Sequence, residues 1–186
     1  YTRIIVFAIV VMLPCFSFTR VPAIPSSVRS VSQLASFLTG RDGQRVHGKD
    51  NELTAAEKKA GWILLFDGKT TAGWRVYKNM PATSWEVSDG ELYCKQDTTA
   101  RHADLVTSGQ YASFELQVDW KIGKGANSGI LYHVMETHEH PYETGPEYQR
   151  IDDLGYPGKL ADWQKSGADY AMHPPLQIAS HPQGEY

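Results

Sequence analysis

Cysteine, surplus basic charge and long apolar runs are all scarce in this chain. Two cysteines, Cys15 and Cys94, occur in 186 residues. They cannot build a disulfide framework, nor by themselves a four-ligand zinc site. Lys and Arg total 18 against 21 Asp and Glu, a formal net charge of -3. That balance leaves no electrostatic footprint for nucleic acid. The longest apolar run, Ile4–Leu13, falls short of the roughly 20 residues that a bilayer span needs. Gly123-Lys-Gly125 lacks the strand-loop-helix context of a phosphate loop and reads as a hairpin connection. There is no nucleophile elbow, no internal repeat and no βαβ alternation. What is present is ordinary globular usage, 41% hydrophobic and 21% charged, in a length that supports one domain with a real core. Aromatics at 11%, with 5 Trp and 10 Tyr, suit a β-rich core and a sugar-handling surface alike.

A basic start at Arg3, the short apolar run and the small-residue exit Val21-Pro-Ala23 read as a secretory signal peptide over residues 1–23. The expectation is a periplasmic or secreted protein with no stable membrane insertion once that segment is removed. Pro14 before Cys15 disfavours a lipoprotein anchor, and Cys94 is then left as a small buried hydrophobe. Residues 24–53 read as linker, with Val28, Val31, Leu34, Ala35 and Leu38 at helical spacing.

From residue 54 to 186 the pattern is that of one β domain. Thr54-Ala-Ala-Glu57 matches a capping box and predicts a helix over Ala55–Ala60, closed by Gly61. Trp62–Phe66 is a strand-like run ended by Asp67-Gly68. Trp85–Val87 and Leu92–Cys94 flank Asp89-Gly90, a hairpin signal. Phe114, Leu116, Val118 and Trp120 alternate with Ser113, Glu115, Gln117 and Asp119, one apolar and one polar face. Ile130–Val134 and Tyr148–Ile151 predict two further strands. Short strands split by such turns point to an all-β fold, an antiparallel β-sandwich of jelly-roll type. Residues 155–186 lose periodicity, and the chain stops at Gln183-Gly-Glu-Tyr186 without a closing strand. The expectation is that C-terminal strands are missing.

Several ordered motifs carry a resemblance. They are Gly61-Trp-Ile-Leu-Leu-Phe-Asp-Gly-Lys-Thr70 with Gly73-Trp74, Trp85-Glu-Val with Asp89-Gly90, and Asp104-Leu-Val-Thr107. Phe114-Glu-Leu, Asp119-Trp-Lys-Ile122, Asn127-Ser-Gly-Ile130 and Gly145-Pro-Glu-Tyr-Gln149 with Asp152-Asp153 complete the set. Together they resemble the 3-keto-disaccharide hydrolase domain family. The resemblance implies a concanavalin-like jelly roll and an exported bacterial hydrolase acting on oxidised glycosides. The position of His133 is often Arg in that family.

The candidate site follows from strand parity. Glu147, Gln149 and Ile151 share a face, so a carboxylate and an amide could grip sugar hydroxyls or move a proton; a solvated strand face is the bland alternative. The resemblance favours Glu147 as base or acid. His133 and Asp152 are its catalytic helpers, while Gln149, Asn127, Tyr132 and Asp153 are substrate-binding candidates. Asp152 and Asp153 also fit plain turn chemistry. Six of the seven histidines lie between residues 102 and 181. His138-Glu-His140 with Glu136 lies in a loop, and no metal ligand set is assigned, although a divalent cation could act at an enolate. Glu115 and Asp119, about 13 Å apart on one strand, are too far apart for a retaining glycosidase pair. The expected chemistry is C2 proton abstraction from a 3-keto-glycoside, elimination of the C1 group and hydration. The alternative is a non-catalytic carbohydrate-binding module.

Overall fold

The computed structural model describes residues 2–10, 49–95, 102–178 and 180–186. The linker read over residues 24–53 and the apolar spacing at 28–38 fall almost wholly outside them, as does Cys15.

Local sequence signals translate directly into structure after residue 49. Helix α1 (Ala55–Lys59) begins on a closed capping box: Glu57 N–H donates to Thr54 Oγ1 at 3.2 Å, and Thr54 N–H donates to Glu57 Oε2 at 2.7 Å. Gly61 follows at φ +82°, the left-handed exit that a glycine reaches without a Cβ clash. Strand β2 (Trp62–Leu64) comes next, then β3 (Trp74–Val76). Strands β4 (Trp85–Ser88) and β5 (Glu91–Cys94) pair antiparallel around Asp89 and Gly90, whose φ values of +51° and +80° are those of a type I′ turn. Strand β6 (Leu105–Thr107) pairs antiparallel with β3, β7 spans Phe114–Lys121, and β8 (Asn127–Leu131) pairs antiparallel with β9 (Glu147–Ile151).

The protein is all-β, as its sequence pattern implies. One strand departs from the antiparallel expectation. Strand β1 (Thr2–Val10) lies between β7 on one edge and β2 and β5 on the other, parallel to all three. A parallel partner cannot come from a hairpin and needs a long connection; β1 arrives from far along the chain. Among the described residues no helix is long and apolar enough to cross a membrane.

The core is centred on Phe66 and Leu92, 1% and 0% exposed, with Trp74, Trp85, Leu105, Leu116 and Val118 packed around them. These two tryptophans, half-buried, keep their indole N–H groups satisfied: Trp74 donates to Leu65 O at 2.6 Å and Trp85 to Ala103 O at 2.7 Å. Among the described residues after β9 there is no further strand. Residues 155–186 hold one 3₁₀ turn, Asp162–Gln164, and isolated bridges.

Candidate active site

The β8–β9 hairpin positions most of the site. Its register pairs Leu131 with Glu147 and Gly129 with Gln149. The connection from residue 132 to 146 is long, and it is held down on the β3–β6 pair. Tyr77, fully buried, donates its hydroxyl to His138 O at 2.9 Å. Arg75 clamps Glu136 through both guanidinium arms, at 2.7 and 2.5 Å, and Lys78 N–H adds a third bond. These donors hold the Glu136 carboxyl down at about 2.

At the loop end of the hairpin the backbone turns sharply. His133 has φ +55°, a conformation disfavoured for any residue with a Cβ. Strand β8 therefore ends at Leu131, and the alternation expected through Val134 stops there. As a result Tyr132 and His133 line the same cleft instead of opposite faces. His133 Nε2 lies 3.1 Å from Ala112 O; a carbonyl only accepts, so Nε2 carries the hydrogen. Its ring meets Phe114 and Tyr132 edge-on, at 5.9 and 5.7 Å. The cleft has a volume of about 620 Å³ and runs between β7 and the hairpin, with Phe114, Trp120, Ile130, Tyr132 and Tyr148 among its walls. That size suits a small organic ligand.

Glu147 opens β9 next to Tyr148, but the alternation of the strand sends its side chain the other way. The carboxyl lies across Gly129: a Cβ there would stand 1.7 Å from Glu147 Oε1. Burial, and then the charge of Asp104, push the Glu147 carboxyl up to about 7, against the opposing pull of Arg150. Asp104 is itself raised by burial and partly offset by His140. A carboxyl poised near neutrality is suited to take and return a proton. A Cβ at Gly129 would also stand 2.4 Å from Glu147 Cδ and 2.5 Å from Cγ, so Gly129→Ala is expected to swing that side chain away from Cγ outward and to lower kcat by displacing the carboxyl. Melting curves beside steady-state kinetics check this.

Asp152, Asp153 and Gln149, among the other predicted site residues, hold loops together. Asp152, 3% exposed, accepts Gly125 N–H at 2.8 Å and Gly155 N–H at 2.9 Å, one on each oxygen, so it clamps two loops. Asp153 accepts Ser166 N–H at 3.0 Å and Ser180 Oγ–H at 2.9 Å. Gln149 is buried and donates to Gln164 O at 3.1 Å. Asn127 sits half-buried at the start of β8, opposite Ile151. The sequence reading does not single out Arg150, which is 2% exposed and donates to Ser128 Oγ at 3.1 Å and Gly129 O at 3.3 Å. Its guanidinium lies 5.8 Å from the centre of the Trp120 ring. Burial lowers it to about 10, so it stays cationic at neutral pH. A charge inside the buried run Gln149-Arg-Ile151 is the signal that could have marked it. Among the described residues no group of three or more His, Cys, Asp and Glu is placed to hold a metal ion.

Residues 61–186 match the family model described as the 3-keto-alpha-glucoside-1,2-lyase-like domain. This chain belongs to that family. A curated 3-keto-disaccharide hydrolase from Bacteroides thetaiotaomicron is 32% identical, over 68% of this chain and 50% of the relative. The chain thus spans about half the length of the curated relative it matches. A crystal structure from Parabacteroides distasonis, assigned as a glycosyl hydrolase, superposes with a TM-score of 0.63 at 42% identity. That match covers 74% of this chain and 66% of the other. Within this lyase-like family, the matched segment contains every strand from β2 to β9 and the whole Glu147 neighbourhood.

Proposed function

We propose that this protein cleaves 3-keto-glycosides by elimination and hydration. The observation that carries the reading is the half-buried Glu147 carboxyl, poised near 7 over Gly129. The family is described by a lyase and its curated relative by a hydrolase, and one reaction supports both words. A ketone at C3 acidifies the C2 hydrogen. Glu147 takes that proton, and the enolate expels the C1 oxygen with its bonding pair. Water then adds to C1 of the unsaturated product while Glu147 returns the proton to C2, giving net hydrolysis.

The test is release of methanol from methyl 3-keto-α-glucoside by the full chain, with and without a chelator. Turnover lost on chelation assigns a divalent cation to the enolate. Sugar binding with no turnover makes the protein a binding module and ends the enzymatic reading. Export is proposed from residues 1–23, and N-terminal sequencing of the secreted protein is expected to begin after Ala23. A mature chain that keeps β1 overturns the export reading.

A further inference from the structure

Glu147 has to meet the hydrogen on C2, and the sugar carbon that carries it also carries a hydroxyl. We propose that Asp104 accepts a hydrogen bond from that C2 hydroxyl and so turns the C2 hydrogen towards Glu147; this rests on the elimination reading above.

Strand parity puts Asp104 on the face that leads to Glu147. In the β3–β6 pair, Trp74 and Leu105 pack on the Phe66–Leu92 core, and Val76 lies opposite Leu105. The residues one step away, Arg75 and Asp104, therefore take the other face. Tyr77 N–H donates to Asp104 O at 2.8 Å, which carries the ladder one step past Val76 and fixes the main chain there. Residues 132–146 cover this face: Arg75 holds Glu136, and Tyr77 holds His138 O. The covering segment closes with Tyr132 N–H donating to Pro146 O at 3.1 Å and runs directly into Glu147. Asp104 feels the charge of His140 from this segment, and Glu147 feels the charge of Asp104.

What marks the two carboxyls is their lack of donors. Among the described residues, no other residue donates a hydrogen bond to the Asp104 or the Glu147 carboxyl. Shielded carboxyls elsewhere are served. Asp152 takes two main-chain N–H groups, Glu136 takes Arg75 and Lys78 N–H, and Glu91 takes Lys121 and Tyr186. Half-buried carboxylates normally collect donors in this way. Asp104 and Glu147 both keep partial exposure, so the donors of a ligand can reach them. An ionised carboxylate only accepts, and a sugar hydroxyl is a donor that suits it. Glu147 is committed to the C2 hydrogen, which leaves Asp104 for the hydroxyl on the same carbon. No bond forms or breaks at Asp104; the gain is orientation of the reacting C–H. The neighbouring polar groups are occupied: Tyr77 spends its hydroxyl on His138 O, His140 stacks on Tyr142, and Arg150 is bonded to Ser128 and Gly129.

A comparison of variants across two substrates tests this. Wild type, Asp104→Ala and Asp104→Asn are assayed on methyl 3-keto-α-glucoside and on its 2-deoxy analogue, which keeps a C2 hydrogen and lacks the hydroxyl. The loss in kcat/KM caused by Asp104→Ala is expected to be about 10–100-fold larger on the parent than on the analogue, as for a hydrogen bond to a charged group. Asp104→Asn, which keeps the shape of the side chain, should show the same contrast more weakly. Any effect through the charge of Glu147 falls on both substrates alike and cancels in the ratio. Inhibition by the analogue supplies the same comparison where its turnover is too slow to follow. Equal losses on both substrates, or none on either, overturn the proposal and leave Asp104 a structural residue. Wild-type turnover of the parent that disappears in Glu147→Gln upholds the elimination reading, whichever way Asp104 behaves. No wild-type turnover of the parent, or turnover that survives in Glu147→Gln, overturns both.

Discussion

Glu147→Gln is expected to abolish turnover and, above neutral pH, to make the protein more stable. The two effects share one cause. An ordinary glutamate titrates near 4.5, whereas Glu147 in the folded chain is held up to about 7 by burial and by Asp104. Between those values the folded state holds a proton that the unfolded chain releases. The stability contributed by the neutral carboxyl is therefore fully present below 4.5 and is lost as pH rises to about 7. A shift of that size corresponds to at most about 3 kcal/mol. Glutamine keeps the shape and stays neutral, so the variant should keep this stability at pH 8. Denaturant midpoints at pH 5 and pH 8 read the difference, and an unchanged pH slope in the variant would refute it. Loss of a positioned general base costs about 10²–10⁴-fold in rate, and the wild-type rate should rise with pH through about 7 as the base form appears.

Arg150→Ala is expected to be the most damaging single change to the hairpin. The guanidinium is buried, donates to Ser128 Oγ and Gly129 O, and lies over Trp120. Truncation leaves those acceptors without that donor and opens space beside an indole. Leaving a buried acceptor without its donor in this way costs about 1–3 kcal/mol each. A second consequence separates electrostatics from packing. Arg150 is the positive charge that favours the ionised form of Glu147. Without it the Glu147 carboxyl should titrate higher still, and the alkaline rise in rate should move to higher pH. Chemical denaturation measures the first effect and the pH profile of the surviving activity measures the second. A profile that stays in place would remove Arg150 from the electrostatics of the site.

Much of the frame was legible because its causes are local. The capping box at Thr54 and Glu57 forms because both partners lie within one turn. Asp89-Gly90 makes its hairpin because these two residues tolerate the positive φ that a type I′ turn requires. Strand β7 was readable from its alternation, and the apolar side does line the core and the cleft. Strands β3 and β6 leave no such signature, since each is three residues long, too short for a period to show.

The site was legible only in part. Glu147, Tyr132 and His133, candidates from motif resemblance, lie at one end of the β8–β9 hairpin, but strand parity puts Tyr132 and His133 on opposite faces where the structure has both lining one cleft. One left-handed residue, His133, resets the alternation. Asp152 and Asp153 look chemically free in sequence, and only the fold brings Gly125, Gly155, Ser166 and Ser180 to their oxygens.

By itself the sequence determined the class of fold, the family and the acid at the head of β9, because periodicity, turn chemistry and ordered motifs are properties of neighbouring residues. Tertiary structure alone decided the charge state of that acid and which polar side chains are spent on loops. Both depend on desolvation and on groups such as Asp104 and Arg150 that meet Glu147 only once strands from different parts of the chain have packed.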